Sequence, residues 1–140
     1  MNSIDTLLVQ DSFRKVLPIS EQAAALFYAR LFELDPSLRA MFRGDMTEQG
    51  RKLMTMLAVA VTALDRPETL VLTLRQLGAR HAGYGVRDEH FATVGTALLW
   101  TLEKGLGPEF TPEVREAWAK TYALLSSTMI DGAHDARSAA

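Results

Sequence analysis

His81 is the residue whose surroundings most clearly suggest chemistry. Leu70, Leu74, Leu77 and His81 fall at i, i+4, i+7 and i+11, so on a helix the imidazole lies in line with three leucines, just ahead of a glycine-rich break at Gly83 and Gly85. An imidazole on an apolar face needs a partner. The chain contains no cysteine, so that partner is a hydrogen-bonding core group, a metal ion or the iron of a haem. Two further polar side chains share helical stripes with apolar ones. Tyr28 follows Ala24 and Phe27 and precedes Leu31, and Gln49 leads a stripe of Lys52, Leu53, Leu57 and Val61. A core tyrosine bonded to a backbone carbonyl and a solvated glutamine are the plainer readings of these two.

Other chemistries lack their residues. No pair of acids is spaced for acid/base work, and no glycine-rich loop runs into a lysine, which excludes the common hydrolase and nucleotide-binding patterns. Basic residues are not interleaved with aromatics, so no nucleic-acid partner is expected. Met41, Met46, Met54 and Met56 are scattered over a linker and several helix faces and read as packing residues, as do Trp100 and Trp118. His90, beside Asp88 and Glu89 at a helix start, and His134, near the C-terminus, receive no role.

The elements that must position these groups are helical throughout. At 140 residues the chain is the size of one domain, and 48% apolar residues, 23% charged residues and a formal charge of -2 describe an ordinary globular composition with no bias toward a polyanion. The absence of cysteine excludes disulfides and thiolate ligands and fits a cytoplasmic location. The N-terminus lacks the basic and apolar run of a signal peptide, and the most apolar stretch, 53–64, is short for a bilayer and flanked by charges, so no membrane partner is expected.

Ser3 and Thr6 open a first helix that Pro18 ends, and Ser20 caps a second that Asp35-Pro36 ends before a turn from Ser37 to Phe42. Thr47 caps a third, and Asp65 to Glu68 start a fourth that ends at His81 and the glycines after it. Asp88 begins a fifth, with Phe91, Val94, Leu98 and Leu102 inward. Thr111-Pro112-Glu113 opens a sixth lined by Val114, Trp118, Leu125 and Met129. Gly132 to Ala140 shows no apolar period and is expected to form a mobile tail outside a domain of residues 1–131.

The order and spacing of these segments resemble the globin family from about Ile4 to Met129. The resemblance is carried by Leu77-Gly78-Ala79-Arg80-His81-Ala82-Gly83-Tyr84-Gly85-Val86, then Phe91-Ala92-Thr93-Val94-Gly95, then Leu102 to Pro108. The first half adds Phe27-Tyr28, Pro36 to Phe42 and Gln49 to Met54. Within the family these stretches resemble neuroglobin and its single-domain bacterial relatives, and the globin portion of flavohaemoglobins.

The resemblance implies an all-α globin fold around a haem pocket. His81 matches the proximal iron ligand, Phe42 the aromatic packed on the porphyrin, and Tyr28, Gln49 and Leu53 the distal wall. Leu77, Val86, Phe91, Val94 and Met129 complete the expected haem-contacting set. Lys52 and Arg80 are candidates for the haem propionates or plain surface cations. No Cys-x-x-Cys-His sequence exists, so the haem is expected to be of b type and non-covalent.

The sequence also departs from the family. Gln49 stands where histidine is frequent, and an amide is a poor iron ligand, so an open or water-bound sixth position is expected, with Tyr28 as a ferric ligand the alternative. Phe91 and Ala133 stand where flavohaemoglobins carry a tyrosine and a glutamate that polarise the proximal histidine. The Leu77 carbonyl is then the natural acceptor for His81, and O–O cleavage is disfavoured.

The implied ligands are O2, CO and NO, bound reversibly by a monomer or weak homo-oligomer. The alternatives are oxidation of NO to nitrate with a separate reductase as partner, and a sensor or interaction module.

Overall fold

The computed structural model describes residues 2–139, and among them every regular element is helical. Six α-helices follow in order: α1 (Ser3–Val16), α2 (Ser20–Leu34), α3 (Met46–Thr62), α4 (Pro67–Gly83), α5 (Asp88–Leu106) and α6 (Pro112–Ala139). Short 3₁₀ turns at Leu17–Ile19, Pro36–Met41, Ala63–Asp65 and Gly107–Glu109 join them. Proline punctuates the chain as expected: Pro18, Pro36 and Pro108 sit at the start of 3₁₀ turns, and Pro67 and Pro112 occupy first helical positions where no N–H is needed.

The helix starts hold two small corrections. α3 is capped by Asp45, whose carboxylate accepts from the Thr47 N–H at 2.9 Å, so the cap lies two residues before the expected Thr47. Ser20 is already helical, and no side chain caps α2. Thr111 does cap α6, accepting from the Val114 N–H at 3.2 Å.

The core forms where α1, α2, α5 and α6 converge, with Phe13, Phe27, Leu31, Leu98, Leu102 and Trp118 all buried. Trp118 is 1% exposed, and its indole N–H is satisfied by the Ser12 hydroxyl at 2.8 Å. Gly50 on α3 lets that helix press against Ala24 on α2, where an added methyl group would crowd the alanine side chain.

The largest correction concerns the C-terminus. Residues 132–139, expected as a mobile tail, continue α6 as helix. Gly132 is buried against α4, Ala133 is buried beside it, and the residues after them are tied down by ion pairs instead of an apolar stripe. The packed unit therefore extends past residue 131; Ala140 lies outside the described residues.

Candidate functional site

α4 ends at His81 and Gly83, and its last turn sets the imidazole. His81 Nδ1–H donates to the Leu77 carbonyl at 2.8 Å, the i−4 acceptor expected from sequence. A carbonyl can only accept, so the proton sits on Nδ1 and the lone pair on Nε2. No described residue hydrogen-bonds Nε2. The ring is half-buried, and burial pushes its pKa below the ordinary histidine value; the Leu77 bond partly offsets this, and the Arg80 charge adds to the lowering. The imidazole is thus held neutral, with the Nε2 lone pair free to accept a partner.

The distal candidates meet on α2 and α3. The Gln49 amide donates to the Tyr28 hydroxyl at 3.4 Å, a long bond that leaves the phenolic proton free for another acceptor. Tyr28 is 8% exposed, and burial raises its pKa, with the Gln49 bond opposing, so the phenol keeps its proton. Phe42, from the chain after the second 3₁₀ turn, packs edge-on against Tyr28 at 5.3 Å and against Phe32 at 5.5 Å. Leu53, Val94 and Met129 are only partly covered and pack with one side on the core, while Leu77 and Val86 are half-buried near His81. These are the exposures expected of apolar residues that border a site.

Other expected members stand apart. Phe91 is buried, and its carbonyl accepts from the Tyr122 hydroxyl. Lys52 and Arg80 are exposed, and no described acid lies within ion-pair distance of either. For Lys52 this corrects the shared face with Gln49 and Leu53: its long side chain turns to solvent while Leu53 turns in. A groove of about 380 Å³ between the end of α3 and the start of α4, lined by Ala58, Val59 and Arg66 among others, contains none of the candidates. An apolar cavity beside Leu53 and Leu57 reaches Phe27, Leu98 and Trp118.

Sequence reasoning passed over two histidines. His90 is buried and its Nδ1 accepts from the Arg87 N–H at 2.9 Å, closing the start of α5. His134 Nε2 lies 2.7 Å from the Asp88 carboxylate. The acid-rich start of α5 was the only available signal.

The donor set discriminates among the possible groups. Among the described residues no three histidine or carboxylate side chains gather as a metal cage. One neutral imidazole therefore suits an iron whose other ligands come from a porphyrin. A family model described as globin matches residues 25–129. The chain belongs to the globin family.

A zebrafish (Danio rerio) neuroglobin is 34% identical over 91% of this globin and 89% of its own length. A flavohemoprotein of Xylella fastidiosa is 35% identical over 74% of this chain, which spans 27% of that longer protein. Among solved structures, an engineered carbene transferase from Rhodothermus marinus superposes with a TM-score of 0.89 at 24% identity, covering 99% of this chain and 97% of the other. A hexacoordinated haem protein from an anhydrobiotic tardigrade gives 0.88 at 16% identity, covering 96% of each chain. Globins are haem proteins, and no helix among the described residues of this one is long and apolar enough to cross a membrane.

The depressed His81 pKa carries a sign. The unfolded chain takes up a proton at about pH 6.5 that the folded chain resists, so unfolding binds protons below that value. Stability is then fully present above about pH 6.5, falls as pH drops through it, and levels off below the lower folded pKa. Thermal unfolding of the haem-free chain should lose more stability between neutral and mildly acid pH than that of His81→Gln. Parallel pH profiles for the two proteins would contradict this.

Proposed function

We propose that this globin binds a b-type haem non-covalently through His81 and uses it to take up diatomic gases reversibly, O2 first and CO and NO alongside. The observation that carries the reading is the His81 Nδ1–H bond to the Leu77 carbonyl, which leaves Nε2 neutral and unpartnered at the edge of apolar residues. Haem iron, when bound, supplies an open coordination position for the gas. The protein's part is to hold the iron by one imidazole, exclude water with Phe42, Leu53, Val94 and Met129, and offer donors from Tyr28 and Gln49.

Partial negative charge on a gas ligand favours these donors, and Tyr28 keeps its proton because it is buried. Gln49 lacks the basicity to hold iron, which supports an open or water-bound sixth position. Reversible binding is favoured over O–O cleavage by the partner of His81: a neutral carbonyl accepts from Nδ1, and Phe91 and Ala133 have no charged or polar side-chain atom to offer in its place. In this reading Lys52 and Arg80, exposed and without an acid partner, pair with the propionates.

The test is the visible spectrum of the purified protein after haem addition, reduced with and without CO. A Soret band that shifts on CO binding is expected. A chain that takes up no haem would overturn the proposal.

A further inference from the structure

We propose that the last three turns of α6 form a brace that positions His81, acting through two close glycine contacts with α4 and an ionic tether to α5. The inference rests on the reading of His81 as the iron ligand.

Gly78 lies three residues before His81 and next to Leu77, whose carbonyl orients the imidazole. A methyl group on Gly78 would overlap the Met129 carbonyl, and one on Gly132 would overlap the Arg75 carbonyl. The contacts are reciprocal, and in both the obstacle is backbone, which cannot rotate aside as a side chain can. α4 and α6 therefore touch main chain to main chain at two points on either side of one crossing. Their separation is set by the absence of two side chains and not by adjustable packing.

The ionic contacts hold the other side of the corner. From α6, His134 Nε2 reaches the Asp88 carboxylate at 2.7 Å and Arg137 reaches its other oxygen at 3.2 Å. Asp135 pairs with Arg75 on α4. Asp88 is the first residue of α5, directly after the turn in which Tyr84 and Val86 N–H groups both donate to the His81 carbonyl, at 3.0 and 3.2 Å. The segment 132–139 thus grips the helix that carries His81 and the helix that follows it.

The consequence follows from what His81 lacks. With Phe91 and Ala133 offering no side-chain acceptor, the hydrogen bond that orients the ring runs to the Leu77 carbonyl on the same helix, and its aromatic neighbour, Tyr84 at 5.9 Å, lies in the turn directly after that helix. The reach of Nε2 then depends on where α4 sits as a body, and α6 determines that. Iron–imidazole geometry responds to sub-ångström displacement, and a 1 Å misplacement can cost roughly 100-fold in rate.

The test uses the full chain, empty and haem-loaded, with Gly78→Ala, Gly132→Ala and Asp88→Asn. In the reduced protein the iron–histidine stretching band should shift in the glycine variants, and the CO association rate should change by about tenfold. The surface variant Asp88→Asn, which leaves the crossing intact, should move the same band by a smaller amount and keeps the test open should a glycine variant fail to fold. Lower thermal stability of the empty chains with band and rate at wild-type values would show the segment to be packing alone and overturn the brace. Absence of an iron–histidine band from the haem-loaded wild type, or its persistence in His81→Ala, would overturn the ligand reading and the brace with it.

Discussion

His81→Ala should fold and yet fail to hold haem in a defined state. The imidazole is half-buried, neutral and already committed through Nδ1 to the Leu77 carbonyl at 2.8 Å. On the proposed reading, its removal takes away an iron ligand whose ring is already oriented by α4. Among the described residues no other histidine can replace it: His90 is engaged with the Arg87 N–H, and His134 with Asp88. What remains is apolar contact with Phe42, Leu53, Val94 and Met129, which retains a flat macrocycle without coordinating its iron.

Loss of a second partner around a metal ligand typically costs about 10- to 100-fold in affinity. Loss of the ligand itself should exceed that, measured as the rate of haem transfer to a stronger acceptor. The fold should survive, because the ring belongs to the border of the site and not to the buried core cluster. Free imidazole added to His81→Gly should restore the CO-sensitive spectrum. Unchanged haem retention and an unchanged CO spectrum in His81→Ala would remove this residue from the site.

The geometry of the candidate site is partly legible in the sequence because its cues are local. The i−4 carbonyl of Leu77 follows from helix geometry once His81 is placed on α4, and the stripes that carry Tyr28 and Gln49 follow from helical periodicity. Pro67, Pro112 and Gly85 mark boundaries that local backbone chemistry dictates, and Gly85 does adopt a left-handed φ of 86°.

The end of α6 escaped for the opposite reason. Its helix is held by Gly132 against α4, and by His134 and Arg137 reaching Asp88. None of these residues carries an apolar period, and each partner lies more than 40 positions away in sequence. Hydropathy reports large buried side chains, so a contact that requires their absence gives no signal. Gly78 gives no hydropathy signal for the same reason, since its contact with Met129 depends on a missing side chain. His90 carries no capping signal because its ring nitrogen, at the third helical position, does the work usually expected of a glutamate or glutamine.

Tyr28→Phe should speed O2 dissociation on the order of 10- to 100-fold, with a much smaller effect on CO. The phenol is buried, and burial holds it protonated, so at neutral pH it has a proton to donate. A hydrogen bond to a group carrying charge contributes about 1.5–3 kcal/mol, which is the source of the estimate. CO takes up less negative charge than O2 and should gain less from the same donor.

The ring itself is expected to stay in place. Phe27, Phe32 and Phe42 surround it at 5.0–6.0 Å, and a phenyl group fills the same contacts. Loss of the hydroxyl also frees the Gln49 amide from its 3.4 Å bond. If Gln49 then takes over as donor, Tyr28→Phe falls at the low end of the range, and the double variant with Gln49→Leu reveals the rest. The two single effects will therefore not add, because both side chains act on one ligand through one shared hydrogen bond. Stopped-flow displacement of O2 by CO in the four proteins of that cycle decides the matter. Off-rates that match in wild type and both Tyr28→Phe proteins would exclude the phenol as a donor and leave it a packing residue beside Phe42.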